Sequence, residues 1–134
     1  MKIPLYLLFV VCSLARAQSQ QSLDTIKAPA NYDNIYVRPL FHDSLISGFV
    51  IFVKKEVKLH KHANHTEQIV ILDGEGIMQL ADKNILIKKG DVIFIPANTV
   101  HSLYVTSIDP VKVLSTQSPY FDGKDRVLIE SGQE

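Results

Sequence analysis

Residues 60 to 74 read His-Lys-His-Ala-Asn-His-Thr-Glu-Gln-Ile-Val-Ile-Leu-Asp-Gly, and their types and spacing fit metal chemistry. His60 and His62 stand two apart in a run with strand character, so both imidazoles leave the same face of a sheet, roughly 6–7 Å apart along the backbone. A short polar turn follows, in which His65 is expected to face solvent. Glu67 then opens an apolar run, Gln68 to Leu72, with the character of the next strand. Two neutral imidazole nitrogens and a carboxylate converging from adjacent strands suit a divalent transition metal. A histidine pair near a glutamate also occurs as simple decoration of a polar loop. The balance moves with a second block, Gly90-Asp91-Val92-Ile93-Phe94-Ile95-Pro96-Ala97-Asn98-Thr99-Val100-His101, which ends in a further histidine opening another apolar segment.

Together the two blocks resemble the paired motifs of the cupin superfamily. There the first motif runs from His-x-His through Glu to Gly, matched here from His60 to Gly74, and the second runs from Gly through Pro-x-Gly to His and a closing Asn, matched from Gly90 to His101. Three positions depart from the pattern. Lys54 stands where the first motif usually begins with Gly, Asn98 replaces the Gly after Pro96, and Val105 replaces the closing Asn. Asn98 is a tolerable exchange, because Asn enters the left-handed backbone region more readily than other non-Gly residues. None of the three removes a metal ligand. The resemblance implies an all-β, antiparallel sandwich or jelly-roll barrel. It also implies one divalent transition metal held by His60, His62, Glu67 and His101, with Glu67 able to swing off the metal and act as a catalytic base.

The elements that must position these residues are short. From Ile35 onward, β runs alternate with turns and no helical period is sustained. Strands are expected at Ile35–Leu40, Leu45–Lys54, Val57–His62, Glu67–Leu72, Gly76–Ala81, Ile85–Lys88, Val92–Ile95, His101–Thr106 and Val111–Gln117. Val127 to Ile129 reads as a short edge strand within a tail that wraps the outside. Turns fall where Gly, Asn, Asp and Pro cluster, as at Asp73-Gly74 and Lys89-Gly90-Asp91. Strand alternation turns Glu67, Ile69 and Ile71 to one face, and His101, Leu103 and Val105 likewise. Phe49, Phe52, Phe94 and Tyr104 are read as packing residues; Tyr36, Arg38 and Gln79 are candidate polar groups of the cavity.

Residues 1–17 are read as a secretory signal peptide: Lys2, an apolar stretch from Ile3 to Leu14, and the small-x-small site Ala15-Arg16-Ala17, with Gln18 as the first mature residue. That stretch falls short of the roughly 20 residues that span a bilayer. It holds the single cysteine, Cys12, so the mature chain has no disulfide. Residues 18–34, rich in Gln, Ser and Ala, are expected to form a flexible leader ahead of one domain over 35–134. The whole chain has 14 basic and 14 acidic residues; removing Lys2 and Arg16 leaves 14 − 2 = 12 basic, a net charge near −2. With no basic run, there is no electrostatic footprint for nucleic acid or an anionic membrane.

Zn, Mn, Fe, Ni or Cu all suit such a ligand set, and folding outside the cytosol argues for Zn or Mn. Three functions remain open at the level of sequence: a metalloenzyme moving a proton on a small oxygenated, sugar-acid or carbonyl-like molecule; a metal-dependent dioxygenase; and a non-catalytic module that captures a small ligand such as a sugar. Small cupins that linearise unsaturated uronates share this size and motif. Gln68 to Leu72 is apolar on both faces, so its outer side needs cover, from the chain's own termini or from a second copy in a homodimer.

Overall fold

The computed structural model describes residues 20–130; the signal sequence read over 1–17 lies outside the described residues. Ten strands are described: β1 Ile35–His42, β2 Ser47–Val53, β3 Glu56–Lys61, β4 Thr66–Asp73, β5 Glu75–Leu80, β6 Lys83–Lys88, β7 Val92–Ile95, β8 His101–Val105, β9 Val111–Ser118 and β10 Val127–Leu128. They form two five-stranded sheets, ordered β1-β2-β9-β4-β7 and β10-β3-β8-β5-β6, with every pairing antiparallel. This is the expected jelly roll, and the strands fall close to where alternation and turn residues put them. Gly74 and Gly90 turn the chain at positive φ, 80° and 94°, and Asn98 does so at 67°, as its replacement of a motif glycine required.

The inner faces of the two sheets meet in one apolar core. Ile69 and Ile71 of β4, Val111 and Val113 of β9, and Leu103 and Val105 of β8 are all buried in it. Alternation therefore holds on these strands. It breaks on β3, where Val57 pairs with Leu103 and His60 with His101, three residues on one strand against two on the other. That bulge lets Val57 and His60 both face inward; strict alternation back from His60 would have turned Val57 outward.

Part of the stretch read as a leader, around Ile26, lies against the first sheet. Val50 and Phe52 point to the outer face of β2, which makes that strand apolar on both sides, and such a strand needs cover. Ile26, 2% exposed, packs on both of them beside a 3-10 turn at Leu23–Thr25. The Lys112 ammonium reaches across from β9 to the carbonyls of Leu23 (2.6 Å) and Ile26 (2.9 Å). Asn34 accepts from the backbone N–H groups of Lys55 (2.9 Å) and Glu56 (3.2 Å), closing the seam. Among the described residues no helix is long and apolar enough to cross a membrane.

Candidate metal centre

His60 lies at the end of β3 next to Lys61, and His101 opens β8 directly opposite it, so the two rings meet at a tilt of 54° with centroids 4.1 Å apart. His62 follows β3, its ring 5.2 Å from His60 and 5.5 Å from His101. One nitrogen from each ring lies within 4.8 Å of those from the other two. All three side chains are buried.

Each ring is also held from behind. Nδ1 of His60 lies 2.8 Å from the Lys58 carbonyl, that of His62 2.8 Å from the Asp125 carbonyl, and that of His101 2.9 Å from the Thr99 carbonyl. A carbonyl only accepts, so each Nδ1 carries the proton and donates it; in the neutral ring Nε2 is then a bare lone pair. Those of His62 and His101 face a carboxylate. Glu67 Oε2 lies 3.4 Å from His101 Nε2 and 3.6 Å from His62 Nε2, and His101 Nε2 has no hydrogen-bond partner. Acceptors facing acceptors in a buried site repel unless a cation or a proton stands between them. A divalent ion answers that arrangement, and backbone carbonyls on Nδ1 are the second-layer partners that orient metal-binding imidazoles. The residues therefore fit the metal, with the three histidines able to hold it and Glu67 beside them.

The charges follow from the same geometry. Burial, and then the neighbouring His101, hold His60 down at about 4, so it is neutral at ordinary pH. Burial would also lower His62, but the Glu67 carboxylate beside it outweighs burial and raises it. Burial would raise Glu67; contacts with His101, His62 and Ser115 outweigh burial and hold it below the usual carboxylate range. Its other oxygen, Oε1, accepts from Ser115 (2.5 Å) and from Gln117 (3.4 Å) on β9.

Several site residues were not reached from sequence. His65, expected to face solvent, is buried: Nδ1 lies 2.5 Å from Asp125 and Nε2 2.9 Å from the Tyr120 carbonyl. Asp125 also accepts from the backbone N–H groups of Ala63 (3.1 Å) and Asn64 (2.8 Å). These contacts hold the carboxyl at about 2 even though burial pulls the other way. The C-terminal tail is thus a strap tied across the ligand loop. It brings Phe121 edge-on to His62 and His65 and puts Arg126 on the cavity wall. Ser115 and Gln117 had a legible signal, since they continue the inward period of Val111 and Val113 along β9. Tyr36, Arg38 and Gln79 do not line the cavity. Tyr36 packs on Tyr32 and Phe52 on the outer face, Arg38 is exposed, and Gln79 donates to the Ala81 carbonyl. Of the aromatic residues read as packing, Phe49 borders the cavity and Phe52 is buried under the leader, whereas Phe94 and Tyr104 are exposed.

Comparison with known proteins agrees with this fold. A protein of Methanocaldococcus jannaschii, described as uncharacterized protein MJ1618, is 31% identical over 114 residues, covering 80% of this chain and 91% of its own. The structure of KdgF from Halomonas sp. superposes with a TM-score of 0.69 at 16% identity, over 79% of this chain and 97% of that one. Pac13, described as a unique nucleoside dehydratase and known from Streptomyces, does so at 0.58 and 13% identity, over 69% and 84%. The family described as cupin domain matches residues 49–117, the span that carries all four candidate site residues, and the chain belongs to the cupin family.

Proposed function

We propose that this cupin is a metalloenzyme that moves a proton on a small oxygenated molecule bound at the three-histidine centre. The observation that carries the reading is a cluster of three back-bonded imidazoles, two of which, His62 and His101, turn Nε2 onto one buried carboxylate. A bound divalent ion supplies Lewis acidity to a carbonyl or enol oxygen. His60, His62 and His101 hold it. Glu67 takes and returns the proton at Oε2, while Ser115 and Gln117 fix Oε1 and so aim the free oxygen into the cavity. Pac13 supports an enzyme over an inert barrel to the extent that a cupin-like barrel of similar size is a dehydratase. Zn or Mn is the ion of this reading, and export with cleavage before Gln18 is the setting. Metal analysis and N-terminal sequencing of untagged protein from its native source test both. Mainly iron would remove the Zn or Mn assignment, and an intact Met1 would remove the export.

A dioxygenase acting on an enediol or catechol-like substrate is the second reading, favoured by the apolar cavity wall, which suits the ring of the latter. Oxygen uptake during turnover separates the two. Ligand-induced thermal shifts without turnover in any metal form would leave only capture of a small ligand. The homodimer belongs to the same proposal, and its surface is taken up at the scale of the whole molecule below.

A further inference from the structure

The cavity beside the three histidines has two unlike ends. One is closed by apolar side chains from both sheets, among them Ile51, Val53, Ile69, Met78, Leu103 and Val113. The other carries His60, His62, Glu67, His101, Gln117 and the guanidinium of Arg126. The volume is about 170 Å³. An apolar chamber of about 150 Å³ takes one benzene ring, so the two ends together accept a ligand of that order and not an extended chain.

Arg126 sits where it does because β10 begins one residue later, pairing Val127 with Lys61 and Leu128 with His60. The strap therefore sets the guanidinium at the histidine end. Arg126 reaches solvent as well as lining the cavity, and among the described residues no carboxylate forms an ion pair with it. The nearby Glu67 is engaged instead with His62, His101 and Ser115. A planar, permanently charged fork with no partner beside a reacting centre is built for a carboxylate.

We infer that the ligand of this cavity is a small carboxylic acid with an apolar body and a carbonyl or hydroxyl oxygen next to the carboxylate. Arg126 takes the carboxylate, the adjacent oxygen faces the histidines and Glu67, and the body fills the apolar end. A polyhydroxylated sugar acid has the anion but not the body. Its ring hydroxyls would be desolvated against Ile, Val and Leu with nothing to accept or donate. The inference rests on the metalloenzyme reading only in taking the histidine end as the reacting end.

The test uses 4-methyl-2-oxopentanoate, its neutral amide and glucuronate, titrated calorimetrically into chelator-treated and metal-loaded protein, with metal uptake measured separately. The oxo acid is expected to bind at least tenfold more tightly than either comparator in both protein forms, and more weakly in the chelator-treated form, where its oxo oxygen meets bare acceptors. Arg126→Gln should remove the preference over the amide, and Arg126→Lys should restore part of it. Ile51→Asn, at the apolar end, should weaken the oxo acid while leaving metal uptake intact. Glucuronate binding as tightly as the oxo acid overturns the apolar body, and an unchanged preference in Arg126→Gln overturns the anchor. Failure of the wild-type protein to take up metal, with Arg126-dependent binding intact, removes the metalloenzyme reading and leaves the ligand class standing. Metal uptake without oxo-acid binding does the reverse.

Discussion

His60, His62 and His101 share one arrangement, Nδ1 on a backbone carbonyl and Nε2 turned inward, and two predictions follow from it. The site exists only in the folded chain, so bound metal stabilises the fold by mass action, about 3 kcal/mol when free metal stands roughly a hundredfold above its dissociation constant. His62→Ala and His101→Ala should therefore each lose metal and melt earlier than wild type in metal-replete buffer, which metal analysis and thermal melting check together. Unchanged melting and content would remove these residues as ligands. The second prediction concerns the metal-free protein. His60 is held at about 4 in the fold against roughly 6.5 in the unfolded chain, so between those values the unfolded state binds more protons. Stability then falls as pH drops through that window. Denaturant titrations with chelator at pH 7 and pH 5 should show the loss, and His60→Leu should reduce it. A variant with the wild-type pH dependence would place the titrating group elsewhere. At this scale the sequence was informative wherever spacing along one strand sets direction, as for His60, His62, Glu67 and His101. It was uninformative for His65, whose burial depends on Asp125, sixty residues away in the chain.

The bulge in β3 and the C-terminal strap shape the cavity, and the leader covers the first sheet from outside. Strand and turn positions could be read because alternation and turn dihedrals are local. The leader's place could not, since 18–34 carries a composition common to mobile segments and its partners, Val50 and Phe52, lie on a distant strand. Ile26→Ala should cost about 2–5 kcal/mol, the range for truncating a buried Ile, if the leader is an integral layer. Urea unfolding reads that directly, and a change below about 0.5 kcal/mol, typical of a surface position, would return the leader to a loose tail. The strap admits a sharper test, because Asp125 acts on the centre through position alone. Its backbone carbonyl holds His62 Nδ1, and its carboxylate ties the same residue to Ala63, Asn64 and His65. Asp125→Ala keeps the carbonyl but frees the strap, and loss of such a supporting partner lowers metal affinity about 10–100-fold. Competition against a chelator measures it, and wild-type affinity in the variant would mean that the strap merely covers the loop.

For the whole molecule, the open question is what meets the outer face of the first sheet. The leader covers that face over β2 but leaves β4 and β7 uncovered. β1 does not help, since it extends the sheet edge beside β2 instead of lying over β4. Across the open part, Val70 pairs with Leu114 on one side and Val92 on the other, and Gln68 pairs with Phe94. Val92 and Phe94 are 64% and 63% exposed, which makes a contiguous apolar strip and not a scatter of single residues. A second copy meeting it about a two-fold axis buries the same strip twice, so each subunit covers the other. The proposed homodimer uses this face, and Val70→Lys, which sets a charge in the middle of the Leu114–Val70–Val92 row, should dissociate it. Light scattering of wild-type protein at roughly 20 μM should report a dimer and the variant a monomer, with metal content unchanged, because Val70 points away from the cavity. Leu86→Lys is the control: Leu86 is 82% exposed on the outer face of the other sheet, and charging it should leave the dimer intact. If Leu86→Lys dissociates the dimer and Val70→Lys does not, the interface lies on the second sheet. A monomeric wild type would mean that the strip stays open to solvent in the free protein.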